Sequence, residues 1–134
     1  MAETFKLRIY SPNRIFFEED VDMVELTTSE GDIGVYAGHI ALTTLVAPGV
    51  LKIHQNGQVR EAALIDGFLE IGPRMVTILS EACEWPEEID VKRAEEARIR
   101  AERKLKGGEG DFARMQRAEA ALKRSLVRLG LAKK

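Results

Sequence analysis

One cysteine, two histidines and one tryptophan in 134 residues leave little for chemistry to work with. Cys83 is alone, so no internal disulfide can form, which fits a reducing cytoplasm. Beside it stand only His39 and His54, too few for a zinc-ligand set or a nucleophile–base constellation. No catalytic residue and no metal ligand is therefore expected. No stretch approaches the roughly 20 apolar residues of a spanning helix. A G-x-x-x-x-G-K-[ST] loop is missing, so any nucleotide would not be held by a P-loop. The segment "GGEGDF" is glycine-rich but lacks the lysine and the preceding strand, and reads as a turn. The opening "MAETFKLRIYSPN" alternates like a strand and has no apolar signal block, which favours an unprocessed bacterial protein.

What is present is a charge asymmetry. Residues 1–88 hold 6 Lys and Arg against 15 Asp and Glu, a balance of −9. Residues 89–134 hold 14 against 7, a balance of +7, so a net charge of −2 hides an acidic body with a basic tail. Such a tail is built to meet something acidic: nucleic acid, phosphate or a protein surface.

Up to about Glu84 the apolar period is two. "FKLRIY" sets Phe5, Leu7 and Ile9 on one face, and "DMVELTT", "DIGVY", "IALTTL", "GVLKIH", "VREAALID", "GFLEIG" and "MVTILS" read as further short strands. Turn chemistry separates them: Ser11-Pro12-Asn13, Ala47-Pro48-Gly49, Asn56-Gly57, Asp66-Gly67 and Gly72-Pro73. Asn56-Gly57 is a strong hairpin signal. The pattern predicts an antiparallel sandwich or flattened barrel. The expected core is Phe5, Leu7, Ile9, Val24, Leu26, Ile33, Val35, Leu42, Leu51, Ile53, Ile65, Phe68, Leu69, Ile71, Val76 and Ile78.

After Trp85-Pro86 the period becomes helical. Asp90 is the expected N-cap of a first helix whose acids precede its bases, the order a helix dipole favours. Gly107, Gly108 and Gly110 end it, and Asp111 can cap a second. Phe112, Met115, Leu122, Leu126 and Leu129 form the expected stripe of the second helix, facing Val91, Ala94, Ala97 or Arg98, Ala101 and Leu105 of the first. An antiparallel hairpin with so many alanines buries little apolar area and is marginal without a partner. The domains expected are a β-sandwich over residues 1–86 and a helical hairpin over 87–134.

Two stretches invite a functional reading. "EGDIGVYAGH", Glu30 to His39, is either a loop and short strand whose glycines serve the backbone or an exposed recognition loop carrying Glu30, Asp32, Tyr36 and His39. Arg93 and Arg100 are seven apart and share a helical face, and Arg124 and Arg128 are four apart and share another. Folded back as a hairpin, the two pairs could converge on a polyphosphate, since each guanidinium fork binds oxygens bidentately. On the residues alone, a solvated basic face with partners such as Glu96–Arg100 is the favoured account, because charged helix faces are common.

Three further motifs occur in order: "SEGDIGVYAGHIALTTLVAPGVLKI", "GFLEIGPRMVTIL" and "IDVKRA". Over essentially its full length the chain resembles the ε-subunit family of the bacterial F-type ATP synthase, departing at Ala37, where the family usually carries proline. The resemblance implies a ten-strand antiparallel β-sandwich followed by a two-helix hairpin. It implies a non-catalytic rotor subunit of the proton-translocating enzyme, peripheral on the cytoplasmic face of the bacterial plasma membrane. Its partners would be the γ subunit and the c-ring, with Ser29, Glu30, Gly31, Asp32, Tyr36 and His39 near that junction. An extended hairpin would meet an acidic loop of β in the α/β head and inhibit hydrolysis. No cofactor is required, but ATP is implied as a regulatory ligand of Glu84, Asp90, Arg93, Ala94, Arg100, Arg124 and Arg128. The rival reading, a stand-alone sandwich adaptor with a nucleic-acid-binding hairpin, finds almost no aromatic residue in the tail for stacking.

Overall fold

The computed structural model describes residues 3–108 and 110–132, and its chain divides into two compact units, Met1–Trp85 and Pro86–Lys134. The first unit carries β1 (Phe5–Ser11), β2 (Arg14–Val21), β3 (Met23–Thr28), β4 (Gly31–Tyr36), β5 (Leu42–Val46), β6 (Gly49–Gln55), β7 (Gln58–Ile71) and β8 (Met75–Glu84). The second holds a 3-10 turn at Pro86–Glu88 and the helices α1 (Val91–Gly107) and α2 (Phe112–Ala132).

A β-sandwich followed by two helices is the class the sequence predicts, with corrections in the strands. Eight strands, not ten, are formed among the described residues. Asp66-Gly67 does not turn the chain: it kinks β7, so the two strands expected on either side are one strand of 14 residues. Both residues have positive φ (41° and 146°), the same backbone requirement that turns impose. Strand β2 is absent from the sequence reading because charged residues flank its core and Phe16-Phe17, both buried, break the alternation. Nor is the sheet wholly antiparallel, since β1 pairs in parallel with β8 from Lys6↔Met75 to Tyr10↔Leu79.

The hydrogen-bonded order is β2-β1-β8-β7-β5-β3-β4, with β6 beside both β3 and β7. One ladder on β7 is shared by two strands: β6 takes Gln58–Leu64 and β5 takes Gly67–Ile71. The far end returns to the near one. Asp22 donates its N–H to the His54 carbonyl (2.8 Å), and Gln55 Nε2 donates to the Asp20 carbonyl (2.8 Å). Asn56-Gly57 makes the expected two-residue hairpin, at φ of 53° and 75°, between paired Gln55 and Gln58.

Inside lie Leu7, Ile9, Val24, Val35, Leu51, Ile53, Leu69 and Ile78, all fully buried, each contributing about 1.5–3 kcal/mol. Phe68 and Leu42, expected in the core, are 53% and 43% exposed. A strand cannot turn Phe68 and Leu69 to the same face. Ile33 is only half-buried, while Phe16, Phe17, Val21, Val46, Ala62, Leu64 and Cys83 join the core. At the end of the unit, Phe16 stacks on Trp85 (centroids 4.3 Å apart), with the Arg60 guanidinium 3.9 Å above the Trp85 ring and Arg14 5.1 Å from Phe16.

A β-carbon at Gly67 would lie 1.8 Å from the Leu79 carbonyl oxygen, at a φ that side chains rarely adopt. Gly67→Ala is therefore expected to cost at least about 1–3 kcal/mol, seen as a lowered denaturant midpoint. An unchanged midpoint would show that β7 carries no such constraint.

Candidate functional site

The β3–β4 hairpin places Ser29 and Glu30 at its tip, between the paired Thr28 and Gly31. Gly31 takes φ 119°, and the buried Thr28 hydroxyl donates to the Gly31 carbonyl (2.8 Å) while accepting from Glu30 N–H (3.2 Å). Ser29 N–H donates to the Leu45 carbonyl (3.0 Å), fastening the tip to β5. Asp32 accepts from the Thr27 hydroxyl (2.7 Å), so one of its oxygens serves the hairpin. Ser29, Glu30, Gly31 and Asp32 are all exposed.

Tyr36 and His39 lie at the other end of β4. Five residue steps separate Gly31 from Tyr36, about 17 Å, so the stretch forms two separate sites, not one loop. His39 N–H closes a turn onto the Tyr36 carbonyl (3.2 Å), with Gly38 at φ 79° in its third position, the pattern of a type II turn. Tyr36 and Ala37 also border a depression of about 620 Å³ that includes Met23, His54 and Val59. His54 Nε2 meets Glu25 Oε2 at 2.6 Å, a pair the sequence pattern does not show because 29 positions separate the residues.

In the helical unit Asp90 caps α1 as its position predicts: Oδ1 accepts from Arg93 N–H at 3.1 Å. Gly108 ends the helix in the left-handed region (φ 60°), and Asp111 Oδ1 accepts from Arg114 N–H (2.9 Å) to start α2. The seam differs from the expected stripe. Phe112 and Leu126 are 77% and 50% exposed, and Val91 is exposed too. The buried positions are Ala94 and Ala101 on α1 with Ala118, Ser125, Leu129 and Leu131 on α2. Counted outward from the turn, Ala101 stands level with Ala118 and Ala94 with Ser125. Small residues at both levels let two helices approach closely, which a Phe112–Leu126 seam would prevent. Ser125 satisfies its buried hydroxyl on the Leu122 carbonyl (2.8 Å).

Among the candidate nucleotide residues, Glu84 ends β8 in the first unit, opposite Ala63, and the others belong to the second unit. Arg93 and Arg100 are exposed on α1, Arg124 and Arg128 half-buried on α2, and Ala94 is buried. Arg98 differs: it bonds Glu95 (Nε–Oε1 2.9 Å) and Glu102, one turn away on either side. The hydrogen bonds it donates to Glu95 and then Glu102 raise its already high pKa. No ion pair joins Glu96 and Arg100 among the described residues. A groove of about 570 Å³ between the helices is bordered by Arg100, Lys104, Arg114 and Arg117 over a floor that includes Ala101 and Ala118. The last three cations are missed by the sequence reading, although 114, 117, 121, 124 and 128 follow one helical stripe.

These sites are surfaces, a fastened hairpin tip and a cationic helix pair, and they define a binding subunit built from a sandwich and a helical hairpin. Comparison with known proteins gives the class a family. Residues 4–86 match the ATP synthase delta/epsilon chain β-sandwich domain, and residues 87–133 match the ATP synthase delta/epsilon chain long α-helix domain. The ATP synthase epsilon chain of Caldanaerobacter subterraneus subsp. tengcongensis is 47% identical over 135 residues, spanning 100% of this chain and 97% of the relative. That of Caldicellulosiruptor saccharolyticus is 46% identical over 96% of this chain and 93% of the relative. The sodium-ion-specific epsilon chain of Acetobacterium woodii is 42% identical over 78% of this chain and 80% of its own length. A chain in the Euglena gracilis mitochondrial ATP synthase (OSCP/F1/c-ring) superposes with a TM-score of 0.80 at 25% identity, covering 98% of this chain and 82% of that one. One in the Tetrahymena thermophila central stalk/c-ring, at 14% identity and a TM-score of 0.72, covers 97% of each and shares the fold. The chain belongs to the ATP synthase delta/epsilon family, whose epsilon chains are non-catalytic subunits of that complex.

The Tyr36–His39 turn carries Ala37 where a type II turn favours proline. Ala37→Pro should raise stability by about 0.4–1 kcal/mol by restricting the unfolded chain. A higher thermal midpoint is the expected reading, and a lower one would mean that the turn has another geometry.

Proposed function

We propose that this chain is the rotor-side epsilon subunit of the F-type ATP synthase, standing between the γ subunit and the c-ring on the cytoplasmic face of the bacterial plasma membrane. The observation that carries the reading is the match of both units, in order, to the two domains of one family. Among the described residues no helix is long and apolar enough to cross a membrane. In this reading attachment to the bilayer runs through the complex. The exposed tip at Ser29, Glu30, Gly31 and Asp32 supplies a small polar contact for a ring of polar loops. Tyr36 and His39, at the opposite end of β4, supply a second contact, to γ.

The helical unit acts as a brake on ATP hydrolysis. Folded, its arginines hold ATP; opened, its basic faces meet an acidic loop of the β subunit in the α/β head. An alanine and serine seam supports that role energetically, since a buried methyl contributes about 0.8 kcal/mol where a leucine contributes two to three times as much. The closed and open states then differ by only a few kcal/mol, within reach of a ligand's differential affinity. In the ATP-bound state Arg93, Arg100, Arg124 and Arg128 offset phosphate charge without a P-loop or a metal. Asp90 holds the first turn of α1 in place, Ala94 leaves room beside it, and Glu84 acts near the base.

Two measurements test this. Affinity purification on the tagged chain, from cells or with a reconstituted complex, should recover γ and c-ring components. Recovery of nucleic acid in their place would establish the adaptor reading. Calorimetric titration of ATP into the isolated chain should show saturable binding, weakened roughly tenfold or more by Arg93→Ala or Arg124→Ala. Equal affinity in both variants would remove these arginines from the site.

A further inference from the structure

Strand β2 carries one residue more than its ladder needs. Ile9 pairs with Phe17 and Tyr10 with Ile15, so Phe16 is the extra residue of a β-bulge. A bulge re-aims a side chain, and this one turns Phe16 onto the ring of Trp85. A second irregularity meets the same ring. Arg60 pairs with Ile53 and so shares the core-facing side of β7 with Ala62 and Leu64, where an apolar residue is the rule. Its guanidinium lies over the other face of Trp85. Arg14, 5.1 Å from the centroid of Phe16, donates from its guanidinium to the Cys83 carbonyl (3.3 Å) and ties β2 back to β8. Trp85 itself stands two residues beyond the buried Cys83 and packs against the core. The end of β8 has a particular need of such support. Its parallel ladder with β1 stops at Leu79, and from Ser80 to Glu84 its backbone ladder runs to β7.

We propose that the stack of Arg60, Trp85, Phe16 and Arg14 is an anchor that sets where the helical unit pivots: it holds Trp85 in the sandwich, so bending begins at Pro86 and does not run back into β8. Stacked rings and a cation over an aromatic face both add to the burial of the ring. A strand end held by one ladder frays unless side chains fix it. Pro86 then offers no N–H to prolong that ladder and opens a 3-10 turn, so the chain changes character at the residue after the anchor. A bulge and a core-facing arginine each cost a sheet something, and serving one ring accounts for both. The inference goes beyond the braking role and does not need it, because the pivot is a property of the chain alone.

The test measures NMR order parameters of backbone amides and of the Trp85 indole N–H on the full chain, in the native protein, Trp85→Leu and Arg60→Met. Arg60 is exposed, and methionine keeps its aliphatic reach while removing the cation. The native chain is expected to hold the rigid value of about 0.85 through Trp85, its indole included. In Trp85→Leu the amides of Ala82 to Glu84 should fall by at least about 0.1 towards the flexible range, while Val76 to Ile78 stay rigid. In Arg60→Met the indole N–H should fall in the same way. A native profile that loosens before Trp85 overturns the proposal. So does a Trp85→Leu protein with a lowered thermal midpoint but Ala82 to Glu84 as rigid as before, since Trp85 would then add stability without anchoring the strand end. Should Trp85→Leu not fold, Arg60→Met decides alone, and a rigid indole in it overturns the anchor.

Discussion

At Gly67 the backbone of β7 passes so close to β8 that no β-carbon fits between them. The sandwich is arranged around this contact. Strand β7 is hydrogen-bonded to three neighbours, β5, β6 and β8, and its kink lets one strand serve all of them. Below the kink Ala62 and Leu64 point into the core; above it Leu69 and Ile71 do, with one residue's worth of phase shifted between. Straightening the strand would turn one of these pairs outward, since a one-residue slip exchanges the faces. Two layers could then no longer close over a single core. The positive φ at Asp66 and Gly67 is a local cost that the enclosed aliphatic residues offset many times over.

The two units answer to different energetics. The sandwich closes over large side chains with essentially no exposure. The helical unit buries Ala94, Ala101, Ala118 and Ser125 together with only two leucines, Leu129 and Leu131, and leaves Phe112 and Leu126 exposed. Caps do much of the work there: Asp90 and Asp111 each hold the first turn of a helix, worth about 1 kcal/mol apiece. Such helices are individually well begun and mutually weakly bound. A proposed brake needs that combination, because separating the pair should not melt either member.

Much of this was legible in the residues, and the illegible parts have physical causes. Alternation in "FKLRIY" and "MVTILS" marks β1 and β8, and Asn56-Gly57 marks a hairpin that the structure contains. Asp66-Gly67 misleads because positive φ serves bulges and turns alike. Strand β2 hides because paired Phe16 and Phe17 have no period. In the hairpin both caps were readable from type and position, and the seam in part: Ala94, Ala101 and Leu129 are buried as expected, but large apolar residues suggested Phe112 and Leu126 where close helix approach selected Ala118 and Ser125. Ser29 to Asp32 and Tyr36 to His39 look like one patch in sequence and are held apart by the length of a strand. Lys104, Arg114 and Arg117 escaped notice because only the register of two helices brings their rows together.

The stack of Arg14, Phe16, Trp85 and Arg60 sits at the last residue before the helical unit. Any pull travelling along the chain from the helices enters the sandwich at Trp85, and there it meets a ring wedged between a phenylalanine and a guanidinium. Behind it β8 is bonded in parallel to β1 and antiparallel to β7. Tension along β8 therefore loads two ladders in shear, many hydrogen bonds sharing the force, and cannot peel them one at a time. The joint behaves as a mooring: a pull from the helical unit is stopped at one tryptophan.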